Sequence, residues 1–543
     1  MNPLASPKCA ARLLMALAAI ATILSAVGCG SSSSSPAPNP GGFSNTSLNG
    51  TYVISISGTD INNSSQIVPF SIVGTITTVG GGTFTGGTID VNDPDNTGVN
   101  LAQTVSGTYS ISSDGRGTGT LTTPAAGSFG IDFVLTSTSH GLITRYDNVG
   151  TGSGTIDLQT SPIPIPAGSF AFSLSGAIAS TGNPLGTVGA FTLDSSGNIE
   201  ANTGTEDFND DGTGFPDLAL SGFVNGSTSG PGTAQLTTNS GLGALNFDVF
   251  VIDSTHMKFI ENDTADSGIL LSGDAFTQVT SLSAGQLVFA LGGIDSSGYL
   301  VVAGGYATTD ANGNLTNGVE DYNDDGTVGL AKPFSTSSAF CNTSTGRCQL
   351  TLDGFSNGAS GSFTFAVYPS SGGGQALEID SLGLLQGTSY SQSATAFTAT
   401  AGYALNLFGQ NGNGEVDDIA QFDSTSAVSP ATNMTGILDE NNTGGTDSGA
   451  LTGTDTPDSP VDGRGSIAAT TPQSALGGLT LEYYVVDSST VVFIDVDSTA
   501  SDAGQGGVGI FQAQSSSSSS VAARKAMSIV HPMARPHAAL RRK

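Results

Sequence analysis

Four times along the chain a short run alternates large apolar residues with small or polar ones. The runs are Tyr52, Ile54 and Ile56 before Gly58; Phe170, Phe172 and Leu174 before Gly176; Leu287, Phe289 and Leu291 before Gly293; and Tyr403, Leu405 and Leu407 before Gly409. A period of two puts every second side chain on one face, so each run predicts a strand with one buried side. Three more landmarks follow each run in the same order. A mid-unit aspartate motif centres on Asp90, Asp207, Asp321 and Asp439, which are 117, 114 and 118 residues apart. A glycine- or arginine-bearing turn follows at Asp114–Gly117, Gly230–Gly232, Gly346–Cys348 and Asp462–Gly465. A second alternating run comes last: Phe129/Ile131/Phe133, Leu245/Phe247/Val249, Phe363/Phe365/Val367 and Leu479/Leu481/Tyr483. Four landmarks in one order, four times over, make a repeat of roughly 115 residues, an ordinary domain size.

Within the first repeat, eight strand candidates lie near 50–58, 69–78, 83–91, 103–112, 117–123, 128–136, 140–147 and 152–159, separated by Gly, Asn, Asp and Ser turns. Short turns make sequence neighbours pair as antiparallel hairpins. The expected fold is therefore all-β: four tandem antiparallel domains, each a small eight-stranded up-and-down barrel, which leaves no sticky edge. An immunoglobulin-like β-sandwich is the alternative. The expected divisions are a signal over 1–28, a tether over 29–46, domains over 47–160, 167–278, 284–391 and 394–514, and a Ser-rich then basic tail over 515–543.

Composition narrows the function. The 543 residues carry 45 Asp and Glu against 14 Lys and Arg, a formal net charge of -31. Nucleic acid is excluded as a partner, because phosphate binding needs a basic face. The body between the termini holds only Arg116, Arg145, Lys258, Lys332, Arg347 and Arg464 as cations. Its carboxylates outnumber any internal partners, so some are expected in water or facing metal ions.

Lys8 and Arg12 precede an apolar stretch from Leu13 to Val27, which ends in Ala26, Val27, Gly28 and Cys29. This resembles the lipobox of bacterial lipoproteins and implies lipidation of Cys29 and removal of residues 1–28. Gly30, where an aspartate would signal inner-membrane retention, implies the outer membrane or cell surface. Ser31 to Ser35 and the prolines after it read as a tether. The body is similar to tandem β-repeat lipoproteins of acidobacteria, a group that supplies no activity to transfer.

Cys341 and Cys348 flank a turn in the third repeat and align with Ser110 and Gly117 of the first, so a cross-strand disulfide is expected there. Closing that loop stabilises by about 2.5 kcal/mol in the chain-entropy picture. The segments Asp207, Asn209, Asp211, Gly212 and Asp321, Asn323, Asp325, Gly326 match D-x-N-x-D-G, the opening of an EF-hand-type calcium loop. Position twelve holds Leu218 or Lys332 instead of glutamate. The competing reading is that Asp and Asn cap turns through bonds to the backbone, which also accounts for the Asp-x-Asn core in all four repeats.

Catalytic patterns are sparse. His140 and His256 follow the sixth strand of two different repeats, without a partner motif, and there is no G-x-S-x-G elbow. The carboxylate pair Glu206 and Asp207 is of a kind glycosidases use, but the chain has no tryptophan to stack a sugar. The basic tail, with His531 and His537, reads as a solvated end or an electrostatic contact to anionic lipid or glycan. The sequence therefore points to a lipid-anchored, non-catalytic surface scaffold or adhesion-type protein with a protein or glycan partner. Small-molecule or glycan binding inside the barrels is the alternative, and a hydrolase the third possibility.

Overall fold

Alternation becomes strand in every repeat. The computed structural model describes residues 42–515, with breaks at 95, 179–180, 240–242, 264–267, 280, 282–283, 311–314, 356–361, 399–401, 412–413, 425–431, 444, 459–461, 472–477 and 498–505. Cys29, the tether up to residue 41 and the basic tail lie outside the described residues. The four sheets run from Asn49 to Leu158, Gly168 to Thr277, Gly285 to Ser391 and Gly402 to Ala513.

Domains 3 and 4 are closed barrels of eight strands in sequence order. Domain 1 has the same circuit with two strands broken: Thr83–Gly86 and Thr88–Asp93 share one path, as do Gly98–Thr104 and Ser106–Ile111. The pairing of Asn49–Ile61 with Ile67–Val79 closes it. In domain 2 the two edges of a nine-stranded sheet, Thr213–Ala219 and Ser221–Asn225, are consecutive in the chain, the halves of one strand bent at Leu220. Domain 3 makes the same bend without a break, in Thr327–Cys341, which turns from Leu315–Asp324 to Cys348–Asp353. The fold is thus all-β barrels, and the sandwich alternative is set aside. Counting each split pair once, the eight strand candidates of the first repeat match the eight strands of domain 1.

One face of each strand fills its barrel. Tyr52, Ile54, Ile56, Phe70, Phe133 and Ile143 belong to the interior of domain 1, and Phe170, Phe172, Phe191, Phe247 and Phe259 to that of domain 2. The repeated glycine two or three residues before the end of each first strand has a steric reason. A Cβ on Gly176 would lie 1.8 Å from the carbonyl oxygen of Leu270, and one on Gly293 1.7 Å from that of Leu384. The backbone of the eighth strand approaches too closely for any side chain there.

Several strands are apolar on their outer face as well, which a solvated barrel would not tolerate. The described residues lie in one compact unit in which each domain packs on the next. The first strands of domain 1 (Asn49–Ile61, Ile67–Val79) lie on the last three of domain 2, and those of domain 2 on Ser362–Ser370 and Gly373–Glu378 of domain 3. Domain 3 repeats the contact on domain 4. Domain 4, through Gly402–Asn411 and Gly414–Ser424, repeats it on Gly127–Leu135, His140–Tyr146 and Gly150–Leu158 of domain 1. One head-to-tail interface used four times therefore closes into a cycle. Val53 and Val73 meet Phe250, Ile252 and Ile260 at the first junction; Val188 and Ala190 meet Leu377 and Leu384 at the second.

Candidate functional site

The aspartate motif sits at these junctions. In domains 1, 2 and 3 its aspartate occupies a β-bulge, where the pairing register shifts across Asp90, Asp207 and Asp321. A bulge re-aims a side chain. Opposite each bulge is a residue with positive φ: Ala102, Asp217 and Ala331 at 52°, 55° and 51°. Their amides donate to Asp90, Asp207 and Asp321.

The re-aimed carboxylate then crosses to the next domain. Asp207 is wholly buried and takes Nε and Nη2 of Arg347 at 2.7 and 2.6 Å and the Tyr368 hydroxyl at 2.6 Å, all from domain 3. Asp321 repeats the arrangement with Arg464 of domain 4, at 2.7 and 2.8 Å, and the Tyr484 hydroxyl. Arg464 also pairs with Glu482 at 2.9 Å and with Asp458. Fork-to-carboxylate geometry is the strong form of ion pair.

Asn209 accepts from the Gly212 amide at 2.9 Å and donates to the carbonyls of Glu378 and Gly383 in domain 3. Asn323 caps Gly326 in the same way and donates to Asp495 and Asp497 of domain 4. Asp211 and Asp325 take positive φ, 49° and 46°, in the turn itself. The side chains suggested as calcium ligands are thus divided between turn caps and the neighbouring domain, and Asp207 and Asp321 carry four donors each.

Asn441 and Asn92 complete the set, donating to Arg145 and Gly150 of domain 1 and to Glu261 of domain 2. A glutamine after each eighth strand adds a second latch. Gln159, Gln278, Gln392 and Gln514 donate to Val251, Thr345, Val485 and Leu135, each in the next domain around the cycle. The alternation pattern carries no sign of this glutamine, but its recurrence at one place in the repeat was visible in the sequence.

The two junctions of domain 1 lack the full ion pair. Domain 2 has Pro231 and Phe250 where domain 3 has Arg347 and Tyr368. Burial therefore pushes the Asp90 carboxyl up to about 8, with Asp248 adding to the rise. Burial likewise takes Glu261 to about 8. At the junction of domains 4 and 1, burial raises Asp132 to about 7, with Asp439 reinforcing it, and Glu415 to about 8. Most of the scarce cations go to carboxylates: Arg116, Arg145, Lys258, Arg347 and Arg464 are all in ion pairs, while Lys332 is exposed. Many remaining acids are buried rather than solvated.

Cys341 and Cys348 are bonded, with Cα atoms 3.9 Å apart, directly opposite each other on neighbouring strands. Their register equivalents in domain 1 are Ile111 and Gly117, one residue from the expected Ser110. His140 and His256 each open a seventh strand and are bonded to an aspartate, Asp157 at 2.9 Å and Asp274 at 2.6 Å. Asp274 also holds the buried Lys258 at 2.7 Å. Glu206, beside Asp207, takes the Thr187 hydroxyl instead, and burial raises it to about 7.

The space between Phe289, Phe334, Phe355 and Phe365 of domain 3 is about 50 Å³. One end of domain 1 holds a larger cavity of about 210 Å³, walled by Phe70, Ile72, Val91 and Phe129 and by Asp60, Asp93, Asp147 and Arg145. Arg145 lies 4.8 Å from the Phe70 ring centre and pairs with Asp60 at 3.3 Å and Asp147 at 3.1 Å.

No protein-family model matches the chain, and no curated protein matches it. Solved structures similar to it include transferrin-binding protein B of Haemophilus parasuis, a vaccine antigen, in a double-mutant form, at 10% identity and a TM-score of 0.18, over 69% of this chain and 83% of that one. The isotype 1 transferrin-binding protein B of serogroup B Neisseria meningitidis is similar at 10% identity and a TM-score of 0.19, over 69% of this chain and 84% of that one. Superpositions as loose as these transfer neither ligand nor partner.

Proposed function

We propose that this chain is a lipid-anchored scaffold or adhesion-type protein of the bacterial cell surface, without catalytic activity, that presents its barrel-end loops in a fixed array to a protein or glycan partner. The observation that carries the reading is the closed cycle of junctions. The chain uses Arg347, Arg464 and its repeated Asn and Gln to hold four barrels against one another. A rigid array suits simultaneous contact with a partner, where several weak sites gain by being linked. The lipobox-like segment ending at Cys29 supports the anchored location.

The test uses cells expressing the full chain, the Cys29→Ala form, or none. Surface labelling with a membrane-impermeant reagent and attachment of cells to protein- or glycan-coated supports are measured. Labelling and attachment that depend on the chain and fall with Cys29→Ala are expected. A chain shielded from the reagent, or attachment indifferent to its presence, would remove the proposal.

A further inference from the structure

The cavity at one end of domain 1 is chemically unlike the corresponding places in the other barrels. Arg145 pairs across its hairpin with Ile131; the residues in the same register of domains 2, 3 and 4 are Glu261, Glu378 and Asp495. Domain 1 places a guanidinium there and surrounds it with Asp60, Asp93 and Asp147, three carboxylates for one cation. Asp60 and Asp147 take the guanidinium. The Oδ2 atom of Asp93 accepts from the amide and hydroxyl of Thr97 at 3.2 and 2.9 Å. That leaves Oδ1 of Asp93 and Oδ1 of Asp60 without a hydrogen-bond partner, on residues each only 3% exposed. An acceptor buried in this state is destabilising until a donor reaches it. Phe70, Phe129, Ile72 and Val91 supply an apolar wall, Asn96, Thr97, Ser128 and Ala126 line the rest, and the half-exposed Val149 stands at the rim.

We propose that this pocket binds a small organic ammonium ion, its N–H groups donating to Asp93 and Asp60 and its carbon body resting on Phe70 and Phe129. An ammonium supplies several donors and one positive charge, which the uneven carboxylate count calls for, and aromatic faces favour a cation nearby. A bare metal ion suits the place less, because among the described residues no three carboxylate, histidine or cysteine side chains are arranged to coordinate one. A volume of about 210 Å³ lies below the ~300–1,000 Å³ of sites for drug-sized ligands, so the ligand is short. Burial and the charge of Asp60 raise Asp93 to about 6, the direction an incoming cation reverses. The pocket lies within domain 1 and does not depend on the cycle serving as a scaffold.

The experiment is ligand-observed NMR titration of the full chain with butylammonium, set against butan-1-ol and butyrate at constant ionic strength and pH 7.5. Saturable binding of butylammonium is expected, at least tenfold tighter than either control. Asp93→Asn should weaken it tenfold or more. Ala126→Phe, which narrows the mouth without touching a carboxylate, should do the same, so loss of binding in either variant that melts like the parent supports the site. Absence of saturable binding, equal binding of the three probes, or parent-like binding in both variants would overturn it.

Discussion

A carboxylate that loses its water needs donors in return, and Asp321 finds four: two guanidinium nitrogens of Arg464, the Tyr484 hydroxyl and the Ala331 amide. Breaking such a pair from one side leaves a buried charge alone, which typically costs about 3–5 kcal/mol. Arg464→Met should therefore lower the unfolding free energy by an amount of that order in urea titration. Adding Asp321→Leu to the same chain should recover part of the loss, because the most deeply buried of the stranded charges is then gone while Glu482 still lacks its arginine. The same saturation bears on calcium. Asp207 and Asp321 would have to release an arginine to take an ion, so melts in millimolar calcium and in chelator should coincide. The Asp-x-Asn core was legible in the sequence, and so was the turn-capping role of Asn209 and Asn323. Their second role was not, because the acceptors on Glu378 and Asp495 stand 169 and 172 residues away.

At the scale of the strand, the sequence was most informative. Alternation depends on side-chain direction within a few residues, so the inward set of each strand could be read directly. The glycine near the end of each first strand was visible as a motif, but its reason is the neighbouring backbone. Gly176→Ala should destabilise by about 1–3 kcal/mol, the usual range for forcing extra volume into a packed site, read as a lower urea midpoint. The outward apolar set was also in the sequence. Phe250 and Ile252 alternate with Val249 and Val251, so that Val249 to Ile252 reads as a continuous apolar run. Such a run marks a strand covered on both faces. The cover is another barrel, which no local pattern names.

For the whole molecule, the uneven junctions set where the cycle yields. Asp90 and Glu261 have folded-state values near 8, above the ordinary 3.8 and 4.5 of the unfolded chain. The folded form then binds more protons than the unfolded form between about pH 4 and pH 8, and stability falls as pH rises through that window. Asp132 and Glu415, raised to about 7 and 8, act in the same direction at the other junction of domain 1. Hydrogen exchange should therefore quicken around domain 1 between pH 6 and pH 8, once corrected for intrinsic rates. Closure also predicts the behaviour of a shorter chain. Ending after Ser391 leaves the outgoing face of domain 3 and the receiving face of domain 1 uncovered. Faces built for one head-to-tail contact should then join between molecules, giving concentration-dependent assembly in sedimentation, while the full chain stays monomeric.

By itself the sequence determined the strands, their order, the fourfold repeat and the inward face of each barrel. These follow from side-chain alternation and short turns, which act over a few residues. Only the tertiary structure decided what the motif aspartates and asparagines reach in the next domain, and which carboxylates Arg347 and Arg464 take. Asp207 meets Arg347 across 140 residues, and Asn441 meets the Arg145 carbonyl across 296. Such pairs exist only once folded barrels dock, and that docking depends on the shape and burial of outer faces rather than on any pattern along the chain.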